Sequence, residues 1–460
     1  MDREVVITKR CKDGVSIRGR VKTALFYLML LALAGFSLSC QSGNPLAFMG
    51  KEVCNCEADK DVPLVEPWPE WIGAKLAATP PMGWNSWNGF GVNVNEDVIK
   101  ATADAMVSTG LKNVGYQYIV IDDYWHGGRD KKGYLYPDPN RFPNGMKALA
   151  DYVHSKGLKF GIYSDAGIKT CGEQPASYCY EEKDAQTFAK WGVDFLKYDY
   201  CFARDSYKEA IRRYTRMGDA LKATGRPIVF SVCEWGDRSP WLWSREAGGH
   251  MWRVSFDVKD VWDLPRNVMS PIGILTAIDV MANLEKHAGP GGWNDPDMLV
   301  IGLRNQGYIK GGGCTDTEYR TQMSMWCMMA APLMITCNIS KMDDATKEIL
   351  MNPEIIAIDQ DRLGKQGFRV ARKGATEVWA KPLTGRRLAV ALLNRGEQKT
   401  TITAERKDFE VDSLDGKQLF PRGSYTLRDV WAHKELGTFT TDFSAEVEPH
   451  ECKVMVLTLQ

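Results

Sequence analysis

A chain of 460 residues with 44% hydrophobic and 25% charged residues can fold one large domain and a smaller one, and its composition excludes disordered and collagen-like classes. Lysine plus arginine and aspartate plus glutamate stand at 58 each, which excludes both a basic field for nucleic acid and an acidic tail. Six scattered histidines argue against a histidine-built zinc centre, whereas 15 tryptophans offer flat faces on which neutral sugar rings can stack.

The chain opens with Arg18, Arg20 and Lys22 ahead of an apolar run from Ala24 to Phe36, closed by Ser37-Leu38-Ser39-Cys40. A basic stretch, a short apolar stretch and small residues make an export signal over residues 1–40. The run is too short for a comfortable membrane span. Cys40 stands where a bacterial lipoprotein signal places its lipidated cysteine, with Ser37 in place of the leucine usual three residues earlier. The expectation is an exported protein: periplasmic, anchored to the membrane through Cys40, or secreted. Residues 41–76 read as a tether, and Cys54 and Cys56 within it meet no second pair that would make a metal site. Export makes disulfides among the 12 cysteines admissible.

From about Ala77 short apolar runs ending in polar clusters alternate with amphipathic stretches closed by glycine. Met146, Leu149, Ala150 and Val153 carry the i, i+3, i+4, i+7 spacing of a helix, with Gly157 placed to cap it. Tyr207, Ala210, Ile211, Tyr214 and Leu221 mark another, stopped near Gly225. Eight strands are predicted, at 82–87, 118–123, 159–165, 195–200, 228–234, 251–257, 293–299 and 333–338. With helices between them they predict a parallel sheet closed into a (β/α)8 TIM barrel over residues 77–361. An open doubly wound sheet is the alternative, but no glycine-rich phosphate loop follows the first strand. After Asp361 the rhythm changes. Short alternating runs at 377–380, 388–393 and 453–457, with turns at Thr384-Gly385 and Asp415-Gly416, predict a small antiparallel β-sandwich domain over 362–460.

Six of the eight strands end in carboxylates: Asp122-Asp123, Asp165, Asp199, Glu234, Asp257, and Asp295 with Asp297. Helix capping explains one such aspartate, but six at the rim where a TIM barrel builds its active site need function or cations to offset their repulsion. In Leu196-Lys197-Tyr198-Asp199 the alternation of a strand turns Lys197 and Asp199 the same way, and a cation keeps a nucleophilic carboxylate ionised. Arg253 and Asp257 repeat the arrangement two strands on, supplying the second carboxylate that glycoside hydrolysis requires. Taken singly, each pair also fits a buried ion pair or a helix cap. Asp122-Asp123 fits either a divalent metal or sugar hydroxyls, and the lack of a nearby histidine or third acid favours sugar. Cys171 and Cys201 follow the third and fourth strands, neighbours in a barrel, so a disulfide there would fix the loop beside Asp199.

Seven ordered segments resemble glycoside hydrolase family 27, the α-galactosidases and α-N-acetylgalactosaminidases. They are Pro81-Met82-Gly83-Trp84-Asn85-Ser86-Trp87, Asp122-Asp123, Leu196-Lys197-Tyr198-Asp199-Tyr200-Cys201, Cys233-Glu234-Trp235, Arg253 with Asp257, Trp293-Asn294-Asp295-Pro296-Asp297-Met298-Leu299, and residues 352–361. The resemblance runs from about Thr79 to the C-terminus. It implies a retaining double displacement with Asp199 as nucleophile and Asp257 as general acid/base. It also implies that Asp122 and Asp123 grip the 4- and 6-hydroxyls of galactose. Lys197 and Arg253 would hold ring hydroxyls, Trp87 would be the aromatic floor, and Tyr163 and Cys171 further pocket wall. Glu234 stands where the resemblance puts an acceptor for the 2-hydroxyl that leaves no space for an N-acetyl group. The paired aspartates favour galactose over β-L-arabinopyranose, which lacks the hydroxymethyl arm. The segment 235–240 is closer to plant and microbial members than to animal ones.

No cofactor and no metal is expected, and the expected partner is an α-galactoside oligosaccharide or polysaccharide. A metal-dependent barrel hydrolase would need a histidine cluster that His126, His250 and His287 do not make by spacing. A non-catalytic sugar-binding lipoprotein would be expected to have lost Asp199 or Asp257, and both are present.

Overall fold

Eight parallel strands lie between residues 82 and 335: β1 (Met82–Asn85), β2 (Tyr118–Val120), β3 (Lys159–Asp165), β4 (Phe195–Asp199), β5 (Val229–Val232), β6 (Met251–Arg253), β7 (Trp293–Asp295) and β8 (Leu333–Ile335). The structure, a computed structural model, describes residues 6–10, 16–20, 76–265, 267, 270–409 and 423–460. The apolar run of the predicted export signal, Cys40, Cys54 and Cys56 of the predicted tether, and the predicted Asp415-Gly416 turn lie outside the described residues. Val6–Arg10 and Ser16–Arg20 pair as an antiparallel hairpin within a separate N-terminal unit. Among the described residues no helix is long and apolar enough to cross a membrane.

The strands pair in the order β7-β6-β5-β4-β3-β2-β1-β8. Leu299, just past β7, bridges to Ile335 on β8 and donates its amide to the Met334 carbonyl at 2.9 Å, which closes the ring. The fold is therefore the predicted TIM barrel. Each predicted strand is present, and all but β3 end one to four residues early, because the chain turns into the rim loops, in β2, β5 and β6 before the carboxylates are reached. Helices α1 (Glu96–Ser108), α2 (Gly145–Ser155), α3 (Glu181–Trp191), α4 (Tyr207–Ala223), α5 (Ile274–Met281), α6 (Asp316–Met328), α7 (Asp344–Met351) and α8 (Pro353–Asp359) accompany them. Their starts follow the sequence: Asn95, Ser206 and Asp343 accept amide hydrogen bonds as N-caps, and Thr315 with Glu318 forms a capping box. Only a 3-10 turn, Pro240–Leu242, stands between β5 and β6.

The C-terminal domain has a six-stranded antiparallel sheet and a two-stranded one. Its strands are β9 (Phe368–Lys373), β10 (Thr376–Leu383), β11 (Arg387–Asn394), β12 (Thr400–Ala404), β13 (Tyr425–Asp429), β14 (Lys434–Phe439), β15 (Phe443–Val447) and β16 (Cys452–Leu459). The large sheet runs β9-β10-β11-β16-β13-β14, and β12 pairs with β15. Strand β11 explains its own unbroken apolar sequence. Leu388, Val390 and Leu392 face the sandwich core, while Ala389, Ala391 and Leu393 join the barrel core. Both faces are covered, so no polar alternation is needed.

Charge reinforces this junction. Glu377 on β10 is fully buried and accepts from Arg395 at 2.8 Å, Arg369 at 3.1 Å and the Trp379 indole at 2.8 Å. Asp279 on α5 takes the same Arg395 at 2.6 and 2.7 Å, tying barrel to sandwich. Replacing Glu377 by alanine removes the buried acid of the cluster and leaves Arg395 and Arg369 only the part-exposed Asp279, at a cost of about 3 kcal/mol. Asp279→Ala, at a part-exposed edge, is expected to cost about 1 kcal/mol or less. Urea unfolding of the two variants measures the difference, and equal losses would contradict it.

Candidate active site

Alternation along the parallel strands sorts the barrel interior into two layers. Tyr118, Val120, Phe195, Val229, Met251 and Trp293 fill its lower half. Two residues further along the same strands come Asp122, Lys197, Ser231, Arg253 and Asp295. The register fixes their neighbours: Tyr163 lies opposite Lys197, Asp165 opposite Asp199, Lys197 opposite Ser231, and Arg253 opposite Asp295. An apolar plug below and a charged layer above follow from period two alone.

Asp199 is buried at the end of β4. Its Oδ2 accepts the Tyr163 hydroxyl at 3.0 Å, while Oδ1 has no hydrogen-bond partner. The Cys171 sulfur lies 3.5 Å from Oδ2, but it is bridged to Cys201 and has no proton to give, so this is a contact and not a hydrogen bond. Burial pushes the Asp199 carboxyl up to about 6, with Lys197 and the Cys233 thiol pulling down and Asp257 and Asp122 pushing up. Lys197 donates to Asp122 at 2.8 Å and so touches Asp199 through its field alone. Burial works against its charge, but Asp122 above all holds the ammonium well above the ordinary lysine range.

The predicted disulfide is present, with Cys171 and Cys201 Cα atoms 5.1 Å apart. Cys179 is disulfide-bonded as well, and Cys233, Cys314, Cys327, Cys337 and Cys452 are buried and free. Beneath the bridge, fully buried Asp165 accepts from the Gly167 amide at 2.6 Å and the Cys201 amide at 2.9 Å. Asp165, Asp199, Cys171 and Cys201 place donor atoms within 4.8 Å of one another. Because both sulfurs are oxidised, the group offers no thiolate to a metal.

Asp257 comes to Arg253 by a route other than the one its spacing suggests. Strand β6 ends at Arg253, the chain turns, and the guanidinium donates back to the Ser255 carbonyl and to Asp257 Oδ1, both at 3.0 Å. The Asp257 side chain remains half exposed, open to a leaving group and to water. Arg253 also meets Asp297 at 2.9 Å, and Asp297 accepts the Val258 amide at 2.7 Å. Asp297, held at φ +90°, thus clamps both the arginine and the backbone next to Asp257. Burial pushes its carboxyl up to about 7, against the pull of Arg253.

On the opposite wall Asp122 accepts from Asn85 and Lys197 at 2.8 Å, and its backbone amide bonds the Ser86 hydroxyl at 2.9 Å. Asp123 is oriented by the Tyr124 amide at 2.7 Å, the Thr170 hydroxyl at 3.0 Å and the Gly172 amide at 2.8 Å. Trp87 begins a single helical turn after β1, its ring parallel to Tyr124 at 6.3 Å and edge-on to Tyr308 at 5.7 Å.

Glu234 is the one predicted site residue that the structure turns away from this cluster. Fully buried, it accepts the Arg238 amide at 2.9 Å and its guanidinium at 3.1 Å, while Arg238 reaches Asp205 at 2.6 Å. Burial pushes its carboxyl up to about 8, against the pull of Arg238. The reason is parity. Ser231 and Cys233 point inward, so Glu234 points outward. Cys233 takes the inward place: its buried thiol faces Asp199 and lies 3.7 Å from the Arg253 guanidinium. Cys233 and Asp297 stand in the sequence motifs without an assigned role, although counting in twos from Lys197 and Arg253 across the register points to the first.

Residues 79–361 match the family described as alpha galactosidase A, and residues 373–457 match the alpha galactosidase C-terminal β-sandwich domain. The chain is 47% identical to the α-galactosidase of Cyamopsis tetragonoloba over 83% of its own length and 87% of that protein's. It is similar to the crystal structure of α-galactosidase I from Mortierella vinacea, with 36% identity and a TM-score of 0.78 over 84% of this chain and 98% of that one. The Saccharomyces cerevisiae α-galactosidase, solved with raffinose, gives 29% identity and a TM-score of 0.78 over 85% and 99%. The chain is a glycoside hydrolase that belongs to the α-galactosidases of glycoside hydrolase family 27.

Proposed function

We propose that the enzyme removes terminal α-D-galactose by retaining double displacement, with Asp199 as nucleophile and Asp257 as general acid/base. The observation that carries this reading is the bare Oδ1 of Asp199, a buried carboxylate oxygen without a donor in a layer of paired charges. Asp199 attacks the anomeric carbon, the bond to the leaving oxygen breaks, and Asp257 gives that oxygen its proton. The galactosyl ester on Asp199 is then hydrolysed by a water whose proton returns to Asp257. Asp122 and Asp123 hold the 4- and 6-hydroxyls, Lys197 and Arg253 ring hydroxyls, Trp87 the apolar face, and Tyr163 and Cys171 the wall. Discrimination at the 2-position rests with Cys233, which faces the nucleophile, instead of Glu234, whose carboxylate belongs to Arg238. The N-terminal signal supports export, with Cys40 as a site for lipid attachment, and boundaries at 77 and 362 separate tether, barrel and sandwich.

Chromogenic α-galactoside, α-N-acetylgalactosaminide and β-L-arabinopyranoside, offered to protein freed of residues 1–40, test the substrate. Turnover of the α-galactoside is expected to dominate and to fall about 10⁴-fold or more in Asp199→Ala. A preference for the arabinopyranoside would refute the roles given to Asp122 and Asp123 while sparing the mechanism. In the free enzyme kcat/KM needs ionised Asp199, so it is expected to fall as pH drops through about 6. Lys197→Met removes the cation that lowers this value, and the acid limb is expected to move to higher pH. A limb that stays put or moves down counts against Asp199 as the group observed.

Glu234→Ser tests the 2-position. The variant is expected to gain no activity on the N-acetylgalactosaminide and to lose about 3 kcal/mol of stability, because Arg238 loses its buried partner and keeps only the exposed Asp205. A gain of N-acetylgalactosaminidase activity would restore the sequence-based assignment of Glu234.

A further inference from the structure

The loop leaving β4 carries an aromatic side chain that neither packing nor the proposed chemistry uses. Phe202 follows the bridged Cys201, is 43% exposed, and sits at φ +46°, a backbone region that bulky residues avoid. Its surroundings force that conformation. Asp165 holds the amides of Gly167 and Cys201, the disulfide ties Cys201 to Cys171, and a Cβ on Gly167 would collide with the Cys201 carbonyl. A glycine at 202 would satisfy the same backbone without strain. Ile168, 41% exposed, lies in the neighbouring loop beside Gly167, and the Lys169 ammonium stands 6.0 Å from the Phe202 ring centre.

We infer that Phe202, with Ile168 and Lys169, forms a shelf for the leaving sugar, the neutral hexopyranose joined to galactose through the scissile oxygen. This inference rests on the reaction proposed above. If the 4- and 6-hydroxyls lie at Asp122 and Asp123 past β2, the anomeric carbon lies across the pocket, between Asp199 and Asp257. The leaving ring then emerges over the loops that follow β4, β5 and β6. In the loop after β5, Trp235 is already stacked on Phe256 at 6.0 Å with planes 11° apart. Phe202, three residues beyond Asp199, keeps an exposed face beside that exit. An aromatic ring takes the C–H face of a pyranose, and the nearby ammonium can donate to one of its hydroxyls. The ring carries no charge of its own, which suits a neutral ligand.

Steady-state kinetics on raffinose and on α-galactosyl fluoride, which has no leaving sugar, separate the shelf from the catalytic machinery. Phe202→Ala is expected to lower kcat/KM for raffinose about five- to tenfold while the fluoride changes less than about twofold. Phe202→Tyr is expected to keep raffinose turnover. Phe202→Gly is expected to raise the melting temperature by relieving strain, yet to lose raffinose turnover as the alanine variant does. Equal losses on both substrates would overturn the inference by showing a distorted pocket. No loss on raffinose would overturn it too, and a change in solution mass with both rates intact would assign the face to a second copy of the chain. If wild type fails on the fluoride itself, the reaction proposal falls first.

Discussion

The Lys197 ammonium is the interaction on which the rest of the site depends. It lies on β4 two residues before Asp199, bonds Asp122 directly, and acts on Asp199 through space. Without a buried cation there, burial alone would drive Asp199 toward its neutral form, and a neutral acid is no nucleophile. The second cation, Arg253, plays the matching part on the far side, shared between Asp257 and Asp297. Asp122, Lys197, Asp199, Asp257, Arg253 and Asp297 set two cations among four carboxylates in one layer across the barrel mouth. The parallel register of the barrel is what lets that layer exist, since it brings inward residues from successive strands to one height.

That arrangement was legible in the sequence to a degree set by periodicity. Each strand of the barrel shows as a short apolar run, because strands covered on both faces have no polar alternation to hide them. Their ends do not show, because the rim loops continue the apolar pattern for a few residues after pairing has stopped. Arg253 and Asp257 illustrate the consequence. Strand alternation places them on one side, and they do meet, but through a turn that begins at Val254. Glu234 illustrates the opposite case: a carboxylate at a strand end, resembling a pocket residue, that parity sends to the outer face. Counting in twos from Lys197 and across the register singles out Cys233 in its place. Asp297 was visible only as one acid among eight, since its work depends on a left-handed backbone that no spacing rule reports.

The loops around the disulfide and after β5 share one design. Each contains a bulky residue at positive φ, Phe202 at +46° and Trp235 at +59°, and each is pinned by a buried carboxylate from the strand beneath. Asp165 holds the backbone before and at the disulfide, and Glu234 holds the backbone at Arg238. Two of the eight strand-end carboxylates therefore serve the loops and not the sugar. The rim's repulsion is relieved partly by cations and partly by amide dipoles, which satisfy a carboxylate without adding a mobile charge.

Burial gives these acids opposed effects on folding and on chemistry. A carboxyl whose folded value is raised binds its proton more tightly in the native state than in the unfolded chain. Its contribution then favours folding most at acid pH and declines as pH rises toward the folded value. Asp199 at about 6, Asp297 at about 7 and Glu234 at about 8 all act in that direction, with loss beginning near pH 4. The proposed nucleophile gains its reactivity over the interval in which the fold loses support from the same group. The Glu377 cluster and the doubly covered strand β11 involve none of these three acids, so stability gained there leaves that exchange untouched.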